Sequence, residues 1–282
     1  MRRFIAFFVS VWVSIFVVNA QSQLKQFTMK SKVLGTEKTY SVYLPDGYEK
    51  SSERYPVLYL LHGAFGTDCS WVNEKSGNMQ KITDEEISAG RAKKMIVVMP
   101  DARGIDERNA GKNMGYFNVE NWHYEDYFFQ EFIPHIDKEF RTIASKEGRA
   151  IAGLSMGGGG AVVYAQRHPE IFGAAYSTSG LLDHRSCAAT LARFGEVWAA
   201  SVALNSPVQY LKNATPETLE KLRSVRWKFD CGDDDWIIYT NLDFYTEMKR
   251  VKIAAEFRVR DGKHNWIFWR ESLPLILAFS FE

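Results

Sequence analysis

Along the chain, polar and apolar residues first alternate, then cluster. On either side of Gly35-Thr36, "QFTMKSKVLGTEKTYSVYL" alternates, which predicts two strands of a hairpin. The apolar residues then run together in "YPVLYLLHG" and "KKMIVVMPD", as strands do when both faces are covered. "YEDYFFQEFIPHIDKEF" has helical spacing, with Tyr127, Phe128, Phe132, Ile133 and Ile136 on one face. "GRAIAGLS" predicts a strand, "MGGGGAVVYAQRHP" a helix that stops near Pro169, and "FGAAYSTSG" another strand. From Leu181 to Val225 the pattern is of helices and loops, with Thr215 placed to cap "TPETLEKLRSV". The strand "RWKFDCGD", the helix "YTNLDFYTEMKRV", the strand "AAEFRVRDG" and the helix "WIFWRESLPLILAF" close the chain. Strand and helix repeat after an opening hairpin. The expected fold is α/β, with a mostly parallel central sheet and helices on both faces.

The first residues stand apart from this pattern. Met1-Arg2-Arg3 is basic, and Phe4 to Val18 is apolar apart from serines. Val18-Asn19-Ala20 then offers a cleavage site, so residues 1–20 read as a secretory signal peptide. The apolar run is shorter than the ~20 residues a membrane span needs. The expectation is a secreted or periplasmic protein with no membrane contact after signal removal, and a single domain over 21–282. Lys and Arg number 35 against 34 Asp and Glu, a balance that disfavours nucleic acid as a partner. Cys69, Cys187 and Cys231 are scattered, without a C-x-x-C pair. They form neither a disulfide framework nor a metal site and are expected to be reduced and partly buried.

Candidate chemistry concentrates in "RAIAGLSMGGGGAVVYAQRHPE". Gly153, Ser155 and Gly157 spell G-x-S-x-G between a predicted strand and a predicted helix. A phosphate loop would need a lysine after its last glycine, and none follows Gly160. Glycines two before and two after a serine instead allow a sharp strand-to-helix turn that thrusts the hydroxyl outward. Such a hydroxyl needs a base, usually a histidine oriented by a carboxylate, and in this fold both come later in the chain. His168 lies too near in sequence and His184 lies in the irregular insert. His264, in the glycine-containing loop of "VRDGKHNWIFW", is where the base belongs. Asp230, Asp233, Asp234 and Asp235 are the candidate acids, and spacing does not choose among them. An oxyanion needs two preorganised N–H donors: the Met156 amide, and one from the loop of "LYLLHGAFG", at Ala64. His62, just before that glycine turn, reads as a structural residue bonding within the loop.

Together, "YPVLYLLHGAFGTDCSW", "IVVMPDARG", "YEDYFFQEFIPHID", "AIAGLSMGGGGAVVYAQRHPEIF", "CGDDDW" and "DGKHNWIFW" resemble the esterase D-like enzymes. That group includes the feruloyl and acetylxylan esterases of carbohydrate esterase family 1. The resemblance covers nearly the whole chain after the signal segment and implies an α/β-hydrolase fold. It implies Ser155 as nucleophile, Asp235 as acid (the last residue of C-G-x-x-D), His264 as base, and Ala64 and Met156 as oxyanion donors. One departure is Gly159-Gly160, where relatives carry larger residues; a slightly looser helix start is expected. The implied activity is carboxylic-ester hydrolysis through an acyl-serine, with no metal or organic cofactor. The expected substrate is an acylated polysaccharide or oligosaccharide, with feruloyl or acetyl groups on plant xylan leading. The alternatives are a generic short-chain esterase or acyltransferase and, from another class, an inactive carbohydrate-binding relative. Trp71, Trp122, Trp236 and Trp266 are candidates for an aromatic acyl pocket. The segments 64–71, 103–122 and 181–225 are expected to wall the cleft. Asn213-Ala214-Thr215 is a glycosylation sequon. Oligomeric state is not readable from the sequence.

Overall fold

A computed structural model describes residues 21–104, 114–183 and 196–282. The signal-like segment 1–20, His184 and Cys187 lie outside the described residues.

The hairpin forms as the alternation requires. β1 (Gln23–Ser31) pairs antiparallel with β2 (Thr36–Leu44), in a register that sets Ser31 opposite Thr36. The apolar runs become β3 (Val57–Leu61), β4 (Ile96–Pro100), β7 (Arg149–Leu154), β8 (Ala174–Thr178) and β9 (Arg226–Gly232), with β10 (Ala255–Arg260) beyond. A separate two-stranded ribbon, β5 (Asn118–Val119) with β6 (Trp122–His123), lies outside the main sheet. The main sheet runs β1-β2-β4-β3-β7-β8-β9-β10; every pairing from β4 to β10 is parallel, and β2 alone runs the other way, pairing antiparallel with both β1 and β4.

Alternate residues of the fully buried strands feed two cores, one on each face. Val57, Tyr59 and Leu61 of β3 join one core, and Leu58 and Leu60 join the other. The helices are α1 (Met79–Ser88), α2 (Tyr124–Tyr127), α3 (Ile133–Glu139), α4 (Met156–Arg167), α5 (Glu196–Leu204), α6 (Pro207–Lys212), α7 (Pro216–Arg223), α8 (Ile238–Arg250) and α9 (Trp266–Ser280). A π-helical stretch, Phe128–Phe132, joins α2 to α3, so the predicted helix over this region is continuous but locally widened. Thr215 caps α7, its side chain accepting from the Thr218 amide, as its position in the sequence suggested. The α1 helix and the small ribbon are additions to the sequence reading.

The strand order fixes where a site can form. After β4 the chain crosses over β3 to enter β7, so β3 and β7 lie side by side with crossovers leaving in opposite directions. Such a switch point opens a crevice beyond the carboxyl ends of the strands. His62-Gly63-Ala64 follows β3 and Ser155 follows β7, so both enter that crevice.

Candidate active site

Ser155 occupies the turn between β7 and α4 with φ 53° and ψ −118°, a conformation a non-glycine residue adopts only when its surroundings impose it. The flanking glycines make the turn possible. A Cβ on Gly153 would lie 2.4 Å from the Gly157 backbone, and one on Gly157 would lie 2.5 Å from the His62 carbonyl oxygen. The expectation of a looser helix start at Gly159-Gly160 is not met. A Cβ on Gly159 would lie 2.4 Å from the Leu181 oxygen, and one on Gly160 would lie 2.9 Å from the Tyr116 ring. These glycines let neighbouring chain close tightly on α4.

The partners come from the far side of the sheet. His264 sits in the loop after β10, with Nε2 3.0 Å from Ser155 Oγ. Its Nδ1 lies 2.9 Å from both carboxylate oxygens of Asp235, on the turn after β9. Two acceptor oxygens facing Nδ1 place the ring proton there and leave Nε2 free to accept from the serine hydroxyl. Asp235 is 2% exposed, and its Oδ1 also accepts from the Ile237 amide. Its neighbours face elsewhere. Asp233 accepts from the Gly262 and Asp234 amides, and the exposed Asp234 carboxylate lies 3.9 Å from Lys263. Asp230 is buried in β9 and bonds to Arg260 and Ser272. Of the four candidate acids, the geometry brings Asp235 alone to His264.

The acid and base loops are tied together beyond their strands. The Asp233 amide donates to the Arg260 oxygen and the Asp234 amide to the Gly262 oxygen, each at 3.0 Å. Gly262 has φ 151°, where a side chain would be strained, and a Cβ there would strike the Phe268 ring. Asn265 then starts α9, its side chain accepting from the Ile267 and Phe268 amides.

The proposed oxyanion donors are Ser155's chain neighbour and a residue of the cavity beside it. Met156 is the first residue of α4, so its amide has no acceptor within the helix. Ala64 lines the cavity beside Ser155. Next to His62 lies a charged cluster in which Lys38 and Asp101 are buried. Arg103 binds the Asp101 carboxylate through two of its nitrogens, and the Lys38 Nζ donates to the Arg103 oxygen at 2.5 Å. Burial depresses the Lys38 pKa to about 8, although Asp101 and Asp68 oppose the shift. Burial works to raise the Asp101 pKa, but the Arg103 bonds and the Lys38 charge outweigh it and hold the carboxyl below its usual range. Burial also pushes the Cys231 thiol far up, with Asp235 and Asp230 adding to the shift, so it stays protonated beside the acid loop. Cys69 and Cys231 are both free thiols.

The cavity next to Ser155 and His264 has a volume of about 380 Å³ and is walled by Phe65, Leu154, Trp236, Trp266 and Trp269 among others. Trp236 and Trp266 therefore stand where the sequence reading put them. Trp71 and Trp122 do not: both are fully buried. The Trp71 indole donates to the Leu61 oxygen beneath the β3 turn, and Trp122 packs under the Lys38 ammonium, 5.4 Å from its ring centre. Each serves the scaffold because its indole is needed to fill or cap a dry interior. Tyr116 and Phe117, expected on the cleft wall, are core residues as well. Trp269 was missed, although Trp266 and Trp269 are three apart at a helix start and so share a face. Of the three expected wall segments, 64–71 contributes Ala64, Phe65, Gly66 and Ser70; residues 105–113 and 184–195 of the other two lie outside the described residues.

A family model named Esterase matches residues 31–280. The chain belongs to the Esterase family. The chain is 43% identical over 266 residues to an endo-1,4-beta-xylanase/feruloyl esterase from Xylanibacter ruminicola, a match covering 92% of it. It spans only 31% of that relative's length. A solved ferulic acid esterase superposes on this chain with a TM-score of 0.85 at 40% identity, covering 93% of this chain and 99% of the other. An acetyl esterase from Caldicellulosiruptor saccharolyticus is 25% identical over 274 residues, covering 88% of this chain and 94% of the relative. The chain has the α/β-hydrolase fold of its structural neighbours.

Proposed function

We propose that this esterase removes feruloyl groups from plant cell-wall polysaccharide through an acyl-serine intermediate. Within that reading His264 takes the proton of Ser155 as the hydroxyl attacks the ester carbonyl, and Asp235 holds the imidazole in the required tautomer. The Ala64 and Met156 amides receive the developing oxyanion. The proton then passes from His264 to the departing sugar oxygen, and water, activated by the same imidazole, releases the acid.

The observation that carries the substrate class is the composition of the cavity wall. Phe65, Trp236, Trp266 and Trp269 present aromatic surface beside the nucleophile, and the cavity of about 380 Å³ exceeds what an acetyl group needs. Flat aromatic groups are held by such walls through stacked or edge-on contacts. Relatives named for feruloyl ester chemistry support the same choice. The acetyl esterase relative keeps acetyl removal as the second reading.

The experiment compares methyl ferulate with 4-nitrophenyl acetate, each relative to its uncatalysed rate. Methyl ferulate should gain more, and Trp236→Ala should cut kcat/KM for it about tenfold while changing the acetate within about threefold. Equal gains, with a ratio unmoved by the variant, would sink the feruloyl reading. The segment 1–20 supports a further proposal, export with cleavage after Ala20; N-terminal sequencing of the exported chain checks it, and an intact Met1 there would refute it.

A further inference from the structure

His62 is 1% exposed, lies outside the triad, and is surrounded by polar groups that leave its ring one protonation state. The Ala102 amide donates to Nε2 at 3.0 Å. An amide N–H only donates, so Nε2 carries a lone pair, and the ring proton of the neutral imidazole sits on Nδ1. Nδ1 lies 2.7 Å from the Gly63 carbonyl oxygen and therefore donates to it. That oxygen also accepts from the Gly66 amide at 3.1 Å. Two donors thus fix the direction of one carbonyl.

That carbonyl belongs to the peptide whose nitrogen is Ala64. The described chain has no cis peptides, so the Ala64 N–H points opposite to the Gly63 C=O. Turning the carbonyl toward His62 and Gly66 turns the amide the opposite way, and Ala64 lines the cavity that holds Ser155. The loop is held from its other side too. The Tyr116 hydroxyl donates to the His62 carbonyl at 2.9 Å, and the same carbonyl presses on Gly157, where a Cβ would lie 2.5 Å away.

We propose that His62, as a neutral imidazole protonated on Nδ1, is the positioning residue that aims the Ala64 amide at the reaction oxyanion. The proposal rests on the reading of Ser155 as nucleophile and Ala64 as oxyanion donor. An imidazolium would direct an Nε2–H at the Ala102 N–H, so the cradle excludes it by geometry. Burial lowers the His62 pKa in the same sense, against the Gly63 bond and Asp101. The charged groups around it are Asp101, at 4.0 Å from Nε2, with Lys38 and Arg103 beyond; the Tyr116 ring packs 5.6 Å away.

Two substitutions separate this role from simple filling. His62→Asn keeps a donor near the place of Nδ1, and His62→Gln keeps a group near Nε2 but loses that donor. Loss of one oxyanion donor has cost about 10²–10³ in kcat elsewhere. His62→Gln should lower kcat about a hundredfold with KM within about threefold, and should weaken phenylboronic acid, which forms a tetrahedral anion on serine, by a similar factor. His62→Asn should recover at least about tenfold of both losses. Unchanged kcat and boronate affinity in His62→Gln, or equal losses in both variants, would overturn the proposal. Ser155→Ala run alongside keeps the outcomes distinct, since turnover surviving there would sink the nucleophile reading itself. Should neither His62 variant fold, nitrogen NMR of the unaltered enzyme decides. A neutral ring protonated on Nδ1 from about pH 5 to 9 is expected, and an imidazolium or an Nε2-protonated ring at about pH 7 overturns the proposal.

Discussion

Asp233, Asp234 and Asp235 are adjacent, yet each carboxylate has a different task. Asp235 orients His264, Asp233 receives the Gly262 amide, and Asp234 faces solvent and Lys263. Asp235→Asn would set an amide N–H against the Nδ1 proton and favour the wrong tautomer, a change that cost about 10⁴ in kcat in another triad. The same loss is expected here, whereas Asp234→Asn and Asp233→Asn should stay within about tenfold, because Asn keeps an oxygen acceptor for Gly262. A greater loss at either neighbour would move the acid there. Ser155→Ala should lower turnover by about 10⁴–10⁶ with the circular dichroism of the fold unchanged. Ser155 and His264 were legible because a strained turn needs glycines at fixed spacing and the base follows the last strand. The choice of Asp235 was not legible from spacing, since three neighbours on one turn differ only in the direction each side chain takes. Two of the four tryptophans failed for the same reason: Trp71 and Trp122 have the right chemistry but are buried in the core.

Among the elements, α4 shows how packing overrides helix preference. Four consecutive glycines weaken a helix by about 1 kcal/mol each relative to alanine. Gly159→Ala should therefore stabilise α4 in isolation. Its new Cβ would meet the Leu181 carbonyl, whose own residue donates its amide to the Ser155 oxygen, so backbone must move and no flexible side chain can absorb the clash. Overpacking of this kind costs about 1–3 kcal/mol. The expected outcome is a net loss of stability, read as a Tm lower by a few degrees; a higher Tm would mean that the Leu181 segment yields freely. The long helices were legible from their apolar period and the buried strands from their unbroken apolar runs. The helix α1 was not, because its inward positions include Thr83 and Glu86. Those polar groups are satisfied by the Met79 oxygen and Arg91, but they break the apolar stripe that would have revealed the helix.

Over the whole molecule, the sheet was foreseeable from strand–helix repetition, but its strand order was not, because sequence pattern does not say over which neighbour a crossover passes. Stability carries a signature of the charged cluster next to His62. Lys38 titrates at about 8 in the folded protein against 10.5 ordinarily, so between those values the unfolded chain binds more protons and this group makes stability rise with pH. The full span amounts to about 3 kcal/mol. The unfolding free energy of the unaltered protein minus that of Lys38→Met should climb from about pH 8 to 10 and stay level below about pH 7. Taking the difference cancels the buried tyrosines, and a difference independent of pH would show that the ammonium is not buried with its proton. The bonds that continue the β9–β10 ladder into the loops of Asp235 and His264 have a mechanical consequence. Base and acid ride on one stiff body, so the cleft does not admit a bulky ester by parting them. An acyl group entering the cleft therefore meets a fixed proton-handling half, the anvil of the site.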